Sequence, residues 1–289
     1  MKYPYTVKIT EQLNNIAKQP GHGYIFHGPD GSGKYLAALE LSRLFIGDKQ
    51  IVKDHQAIHP NMIIINPLET KRSIGIDQIR SVNEKIWHTS SEPKIKKVII
   101  IESVDKLTVE ASNALLKNLE DTPPNTVFLL LTNNISKVLA TIRSRAQIVY
   151  FEPISQARGV EYLQKHLEAS QSQAIEMFDL ARGSLGGALE LGNDDLLGHK
   201  KTIRGLAETF VAGNITERFV ITKKVFDEDW SLEFLEEINY AIRRNSTILS
   251  VVNNLENIVR ASQQIQSNVN ARTVIENLGL QLSTKEENS

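Results

Sequence analysis

The stretch FHGPDGSGKYLAALELSRLF, residues 26–45, limits what this chain can fold into more than any other part of it. A short apolar run enters a loop containing Gly28, Gly31 and Gly33, and an apolar helical pattern follows Lys34. Glycines let a backbone curl until several N–H groups face one anion. The spacing G-x-x-x-x-G-K between a strand and a helix is the signature of a phosphate-binding loop. Such a loop needs a buried strand followed at once by a helix, so the sequence predicts alternating β and α elements around a parallel sheet.

The rest of the first half agrees with that layout. Apolar runs recur at 24–27, 62–65, 98–101, 127–132 and 148–151. Their continuous aliphatic character suits strands buried on both faces. Thr108 reads as a helix N-cap, with Glu110 near the positive helix end. Ala111, Ala114, Leu115 and Leu119 then share one helix face. The helix is expected to stop at Asp121, ahead of Pro123 and Pro124. Past Pro153 the strand signal fades. Residues 155–192 read as short helices ending near Gly183 and Gly192, and residues 199–281 as longer ones, for example 232–242 and 248–265. The polar tail 283–289 reads as disordered.

Composition narrows the functional classes. A length of 289 residues gives room for two or three cores. The net charge of -1 provides no overall field to attract nucleic acid or an acidic membrane. With zero cysteines, disulfides and thiolate metal sites are excluded, which suits a reducing cytoplasm. Lys8, Glu11 and Lys18 interrupt the first twenty residues, so no signal peptide is expected. No apolar stretch is long enough to cross a bilayer.

Within the loop, Gly28, Pro29, Gly31, Ser32, Gly33 and Lys34 are the candidate phosphate contacts, with Lys34 reaching the terminal phosphates. The plainer alternative is a glycine turn beside an unrelated lysine. Tyr35 stands where the motif wants Ser or Thr to bind magnesium. A phenol carries its oxygen several bonds farther out, so phosphate cradling survives while metal placement is impaired. The run 98–101 leads into Glu102 and Ser103. Glu102 can reach a metal through water, but serine is a poor general base. Asp105 reads as a cap for the following helix. His55 and His59 stand four apart, and they read as surface residues rather than zinc ligands.

The segment KVIIIESVDKLTVEASNALLKNLEDTPPNTVFLLLTNNISKVLATIRSRAQIVYF resembles the clamp-loader branch of the AAA+ ATPases, of the kind found in bacterial DNA polymerase III. HPNMIII at 59–65, IGIDQIR at 74–80 and ARGSLGGAL at 181–189 add to the resemblance, which covers roughly residues 10–190. It implies an α/β AAA+ P-loop domain with a parallel five-stranded sheet over 1–153. A small helical lid over 154–195 and an all-α oligomerising collar over 196–282 follow. ATP is the implied ligand. Asn133, next to Thr132, would read its terminal phosphate. Arg145, in the Ser144-Arg145-Ala146 triplet, would act in trans on the ATP of a neighbouring subunit, a task that suits a planar, always charged guanidinium. The implied partners are the loader's motor subunits, a delta-like subunit and, through the complex, the sliding clamp and primed DNA.

Several positions depart from that pattern. Ala146 replaces a cysteine, and the lid stretch from Gly183 to Gly187 lacks the usual phosphate-touching arginine, since Arg182 precedes that position. A cysteine-rich zinc module is absent. Together, Tyr35, Glu102, Ser103 and the missing lid arginine predict a stator that can hold ATP, hydrolyses little, and donates Arg145. The competing readings are a gamma/tau-like motor of the same machine, an unrelated P-loop kinase or recombination motor, and a scaffold with a dead site. Neither a lid arginine cluster nor a basic DNA-binding module speaks for the unrelated enzymes. Lys200, Lys201, Arg204, Arg243 and Arg244 are candidate DNA phosphate contacts, with a solvated helix face as the plainer reading.

Overall fold

The structure, a computed structural model, describes residues 4–47, 59–68, 73–88, 96–245, 248–267 and 269–282. The chain divides into two compact units, Met1–Gly192 and Asn193–Ser289. The polar tail 283–289 lies outside the described residues.

The first unit begins with α1 (Val7–Lys18), β1 (Gly23–His27), α2 (Lys34–Ile46), β2 (Met62–Ile65) and α3 (Ile76–His88). It continues with β3 (Lys97–Ile101), α4 (Val109–Glu120), β4 (Thr126–Thr132), α5 (Ala140–Arg143) and β5 (Gln147–Tyr150). Three helices, α6 (Gln156–Leu167), α7 (Gln171–Leu180) and α8 (Leu185–Glu190), complete it. The strand order is β2-β3-β4-β1-β5, and every pairing is parallel. β1 therefore lies between two strands that come much later in the chain. The loop leaving its carboxyl end opens at the kind of position where α/β sheets bind ligands.

The apolar runs become strands for the expected reason at the centre of the sheet. Every residue of β3 and β4 is buried. Ile25, Ile99, Ile101, Phe128 and Leu130 pack in one cluster with Leu115 and Leu119 of α4 and Val82 of α3. Thr108 caps α4, its hydroxyl accepting from the Ala111 N–H at 3.2 Å. β5 departs from the expectation. It pairs only with β1, at the edge of the sheet, and Ile148 and Tyr150 are 44% and 50% exposed. A continuous apolar run there does not mean burial on both faces.

The second unit consists of α9 (Asp194–Ala212), α10 (Ile215–Asp227), α11 (Ser231–Asn245), α12 (Ile248–Gln266) and α13 (Ala271–Gln281). Ile203, Phe210, Phe234, Ile238, Ile275 and Leu278 belong to its core cluster. Glu237 is buried and receives Arg204 Nε at 3.1 Å and Lys200 Nζ at 3.0 Å. Lys200 and Arg204 are thus committed to an α9–α11 charge network, so the solvated-face reading does not describe them. Arg218 of α10 is buried without an acidic partner in that network. It donates to the carbonyls of Phe210 and Val211 at the end of α9 and of Gly279 and Leu282 at the end of α13. Those carbonyls are helix-terminal acceptors with no partner inside their own helix. Among the described residues, no helix is long and apolar enough to cross a membrane.

Candidate functional site

The glycine loop joins β1 to α2 at the switch point of the sheet. Gly31 and Gly33 hold φ values of +74° and +82°, in the left-handed region that glycine tolerates and other residues resist. At Gly28 the constraint is space, because a Cβ would stand 2.2 Å from the Phe151 carbonyl oxygen. The spacing that suggested a phosphate loop thus yields a tight curl with no room for side chains at these turns.

Lys34 is buried and folded into that curl. Its Nζ donates to the carbonyls of Gly28 at 2.8 Å and Pro29 at 2.7 Å, and lies 3.4 Å from Ser32 Oγ. Burial lowers its pKa, and the carboxylates of Asp30 and Asp105 partly offset the shift. The pKa of His27, at the end of β1, is also lowered by burial and by Lys34. The Ser32 N–H, a candidate phosphate donor, is directed to Pro29 O at 3.3 Å.

Two distant segments brace the same loop. The Tyr5 hydroxyl donates to Gly33 O at 2.7 Å. At the start of α8, the Leu185 N–H donates to Gly31 O at 3.4 Å, and a Cβ on Gly31 would come 2.4 Å from Ser184 Cα. Beside the loop lies a cavity of about 530 Å³ lined by Pro4, Tyr5, Arg158, Glu161, Tyr162, Lys165 and His166. Tyr5 therefore touches both loop and cavity.

Tyr35 and Glu102 lie together, at the corner where the sequence pattern would place a metal. Burial and the nearby Glu102 charge raise the Tyr35 phenol to about 12, so it remains a neutral hydroxyl. Burial also raises the pKa of Glu102. With its amide turned to donate, Asn66 lies 3.0 Å from Glu102 Oε1. Ser103 has φ +56° and ψ +52°, a left-handed conformation uncommon for serine, and its backbone turns β3 into a short 3-10 segment. Asp105 lies in that segment and does not cap α4, a role that Thr108 fills. Its carboxylate instead accepts from Thr132 Oγ1 at 2.6 Å. The next residue, Asn133, donates from its side chain to Asp30 of the loop. The structure thus brings Lys34, Asp30, Thr132, Asn133 and Asp105 into one group and sets Tyr35 with Glu102.

Arg145 lies apart from that group, in the link between α5 and β5. Its NH2 meets Glu120 Oε1 at 2.6 Å, and its NH1 donates to Thr141 O at 3.1 Å. His55 lies outside the described residues. The His59 Nδ1 accepts from the Asn61 N–H at 3.0 Å. Among the described residues, no three or more His, Cys, Asp or Glu side chains group around a common metal position.

Sequence reasoning missed several contributors. Asp30 could have been found, since an acidic side chain inside a phosphate loop is itself a signal. Tyr5, Ser184 and Glu120 act across sequence separations that no local pattern records.

Residues 6–155 match the family described as DNA polymerase III, delta subunit. The DNA polymerase III subunit delta' of Escherichia coli (strain K12) is 32% identical over 157 residues, which cover 54% of this chain and 47% of that protein. In the Pseudomonas aeruginosa protein of the same name the match covers 58% of its length. The chain therefore spans about half the length of these relatives. The subunit delta' of Bacillus subtilis (strain 168) is 25% identical, with 93% of each chain covered. Among solved structures, a DNA polymerase III gamma subunit-related protein from Thermotoga maritima superposes with a TM-score of 0.63 at 21% identity, covering 94% of this chain and 97% of that one. This last likeness concerns the fold alone.

Proposed function

This chain belongs to the DNA polymerase III delta-subunit family, and on that premise we propose that it is a delta-prime-type stator of a clamp loader. In this reading it helps place a sliding clamp on primed DNA without being the subunit that drives the cycle. Its partners are nucleotide-hydrolysing motor subunits and a delta-like subunit. The first unit carries the AAA+ domain and lid, and the second serves as the collar.

The observation that carries the stator reading is the metal corner. A neutral phenol at Tyr35 lies near a carboxylate that burial makes reluctant to ionise. A magnesium ion needs compact, charged oxygen ligands. Ser103 follows Glu102 where a base would activate water, and its hydroxyl is poorly suited to that task. The curled loop and Lys34 remain fit to hold phosphates, and the adjoining cavity is of a size that ligand sites commonly have. ATP held there would keep its phosphates without a well-placed metal.

In this reading Arg145 is the chain's contribution to catalysis, a guanidinium presented to the ATP of an adjacent subunit. Arginines supplied in trans raise turnover by roughly 10³–10⁵ in other nucleotide hydrolases.

The test is nucleotide binding and turnover by the isolated chain, with and without magnesium. Turnover should be negligible, and any binding should depend on Lys34 and hardly on magnesium. Magnesium-dependent hydrolysis that disappears in Lys34→Ala, with the fold intact by circular dichroism, would establish a gamma/tau-like motor instead.

A further inference from the structure

Arg145 is not free in this chain. Its NH2 is 2.6 Å from Glu120 Oε1, and its NH1 donates to Thr141 O at 3.1 Å and lies 3.4 Å from Ser144 Oγ. Glu120 is the last residue of α4, and Thr141 belongs to α5, so two elements hold one guanidinium. The side chains of Arg145 and Glu120 are 37% and 47% exposed. The contact is therefore at the surface, where an adjacent subunit can reach it. An ion pair this exposed is weak. A polyphosphate offers the guanidinium stronger, forked hydrogen bonds.

We propose that Glu120 parks Arg145, holding the guanidinium on this chain's own surface until the phosphates of a neighbouring subunit displace the carboxylate. The inference rests on reading Arg145 as an arginine donated in trans. Glu120 and the phosphate compete for the same NH2 edge, and one edge cannot serve both anions. The parked state is then the resting state of the interface. Only a neighbour brought close, as when clamp and DNA are bound, moves the arginine onto its substrate. Glu120 is thus a positioning residue that sets how strongly turnover depends on stimulation.

The experiment uses the loader reassembled from its purified subunits. ATP turnover is measured with and without clamp and primed DNA for the wild type, Glu120→Gln, Glu120→Asp, Arg145→Ala and the Glu120→Gln/Arg145→Ala double variant. Glu120→Gln should raise unstimulated turnover by up to about fivefold, the factor equivalent to about 1 kcal/mol. It should leave stimulated turnover at the wild-type level, so the stimulation ratio falls. Glu120→Asp, which keeps the charge, should restore part of that ratio. Arg145→Ala should lower turnover, and the double variant should match it, because parking has no effect without the arginine. A merely structural role for Glu120 would instead lower the melting temperature and both rates together. If Arg145→Ala lowers turnover while Glu120→Gln leaves the ratio unchanged or depresses both rates, parking is wrong and the donated arginine stands. If Arg145→Ala leaves turnover and clamp loading at the wild-type level, the donated arginine fails and parking fails with it.

Discussion

Tyr35 and Glu102 carry the proposal that the site holds phosphates without placing a metal. The phenol is too long to present its oxygen where a serine or threonine would, and the sequence alone makes that point. The sequence does not show that the two side chains share a half-buried corner, because they are 67 positions apart by their numbers. Burial raises the pKa of Glu102 in the folded chain above its unfolded value. The folded state therefore holds the proton more tightly than the unfolded state. Stability associated with this group is present below the unfolded pKa and is lost as pH rises through the folded one. At neutral pH the charge is a cost to the fold. Glu102→Gln is accordingly expected to raise the melting temperature at pH 7, with the gain shrinking as pH falls toward the ordinary carboxylate range. Thermal melts of both proteins across that range would check it, and a lower melting temperature for the variant at neutral pH would contradict it.

At the scale of elements, the strands and α4 were legible because periodicity and caps are local properties. The runs at 62–65 and 98–101 fall within β2 and β3, and Thr108 caps α4 as its position suggested. The failures came from tertiary placement. β5 is as apolar in sequence as its neighbours, yet at the sheet edge the face carrying Ile148 and Tyr150 is left open while Val149 on the other face is buried. Asp105 precedes a helix by a plausible capping distance, but it lies inside a short 3-10 turn that directs it to Thr132. The docking of α8 on the loop was also beyond the sequence, since it depends on Gly31 and Ser184 meeting across 153 positions by their numbers. That docking leads to a test. Gly31→Ala would place a methyl group against the Ser184 backbone and force φ +74° on an alanine. It should destabilise the protein by about 1–3 kcal/mol, measured by urea or thermal unfolding. An unchanged stability would mean that α8 does not seat on the loop in solution.

For the molecule as a whole, each unit has a buried core of its own. In the second unit, Arg218 adds a further constraint by tying the ends of α9 and α13 together. A chain of residues 1–192 should therefore fold and unfold cooperatively by itself. If the second unit is the collar, that shorter chain should fail to enter the loader. Its recovery at full stoichiometry with the other subunits would overturn the assignment. The braced loop has a consequence of another kind. Tyr5, Leu185 and Lys34 already satisfy the carbonyls of Gly33, Gly31, Gly28 and Pro29. A switch needs two shapes separated by the presence of its input; with Gly33 and Gly31 tied to Tyr5 and Leu185 outside the loop, the Lys34 side chain is the part left to redirect when an anion arrives. If the chain is the proposed stator, a loop held this way makes it the fixed reference against which the changes of the other members are registered, and it keeps no record of the cycle itself.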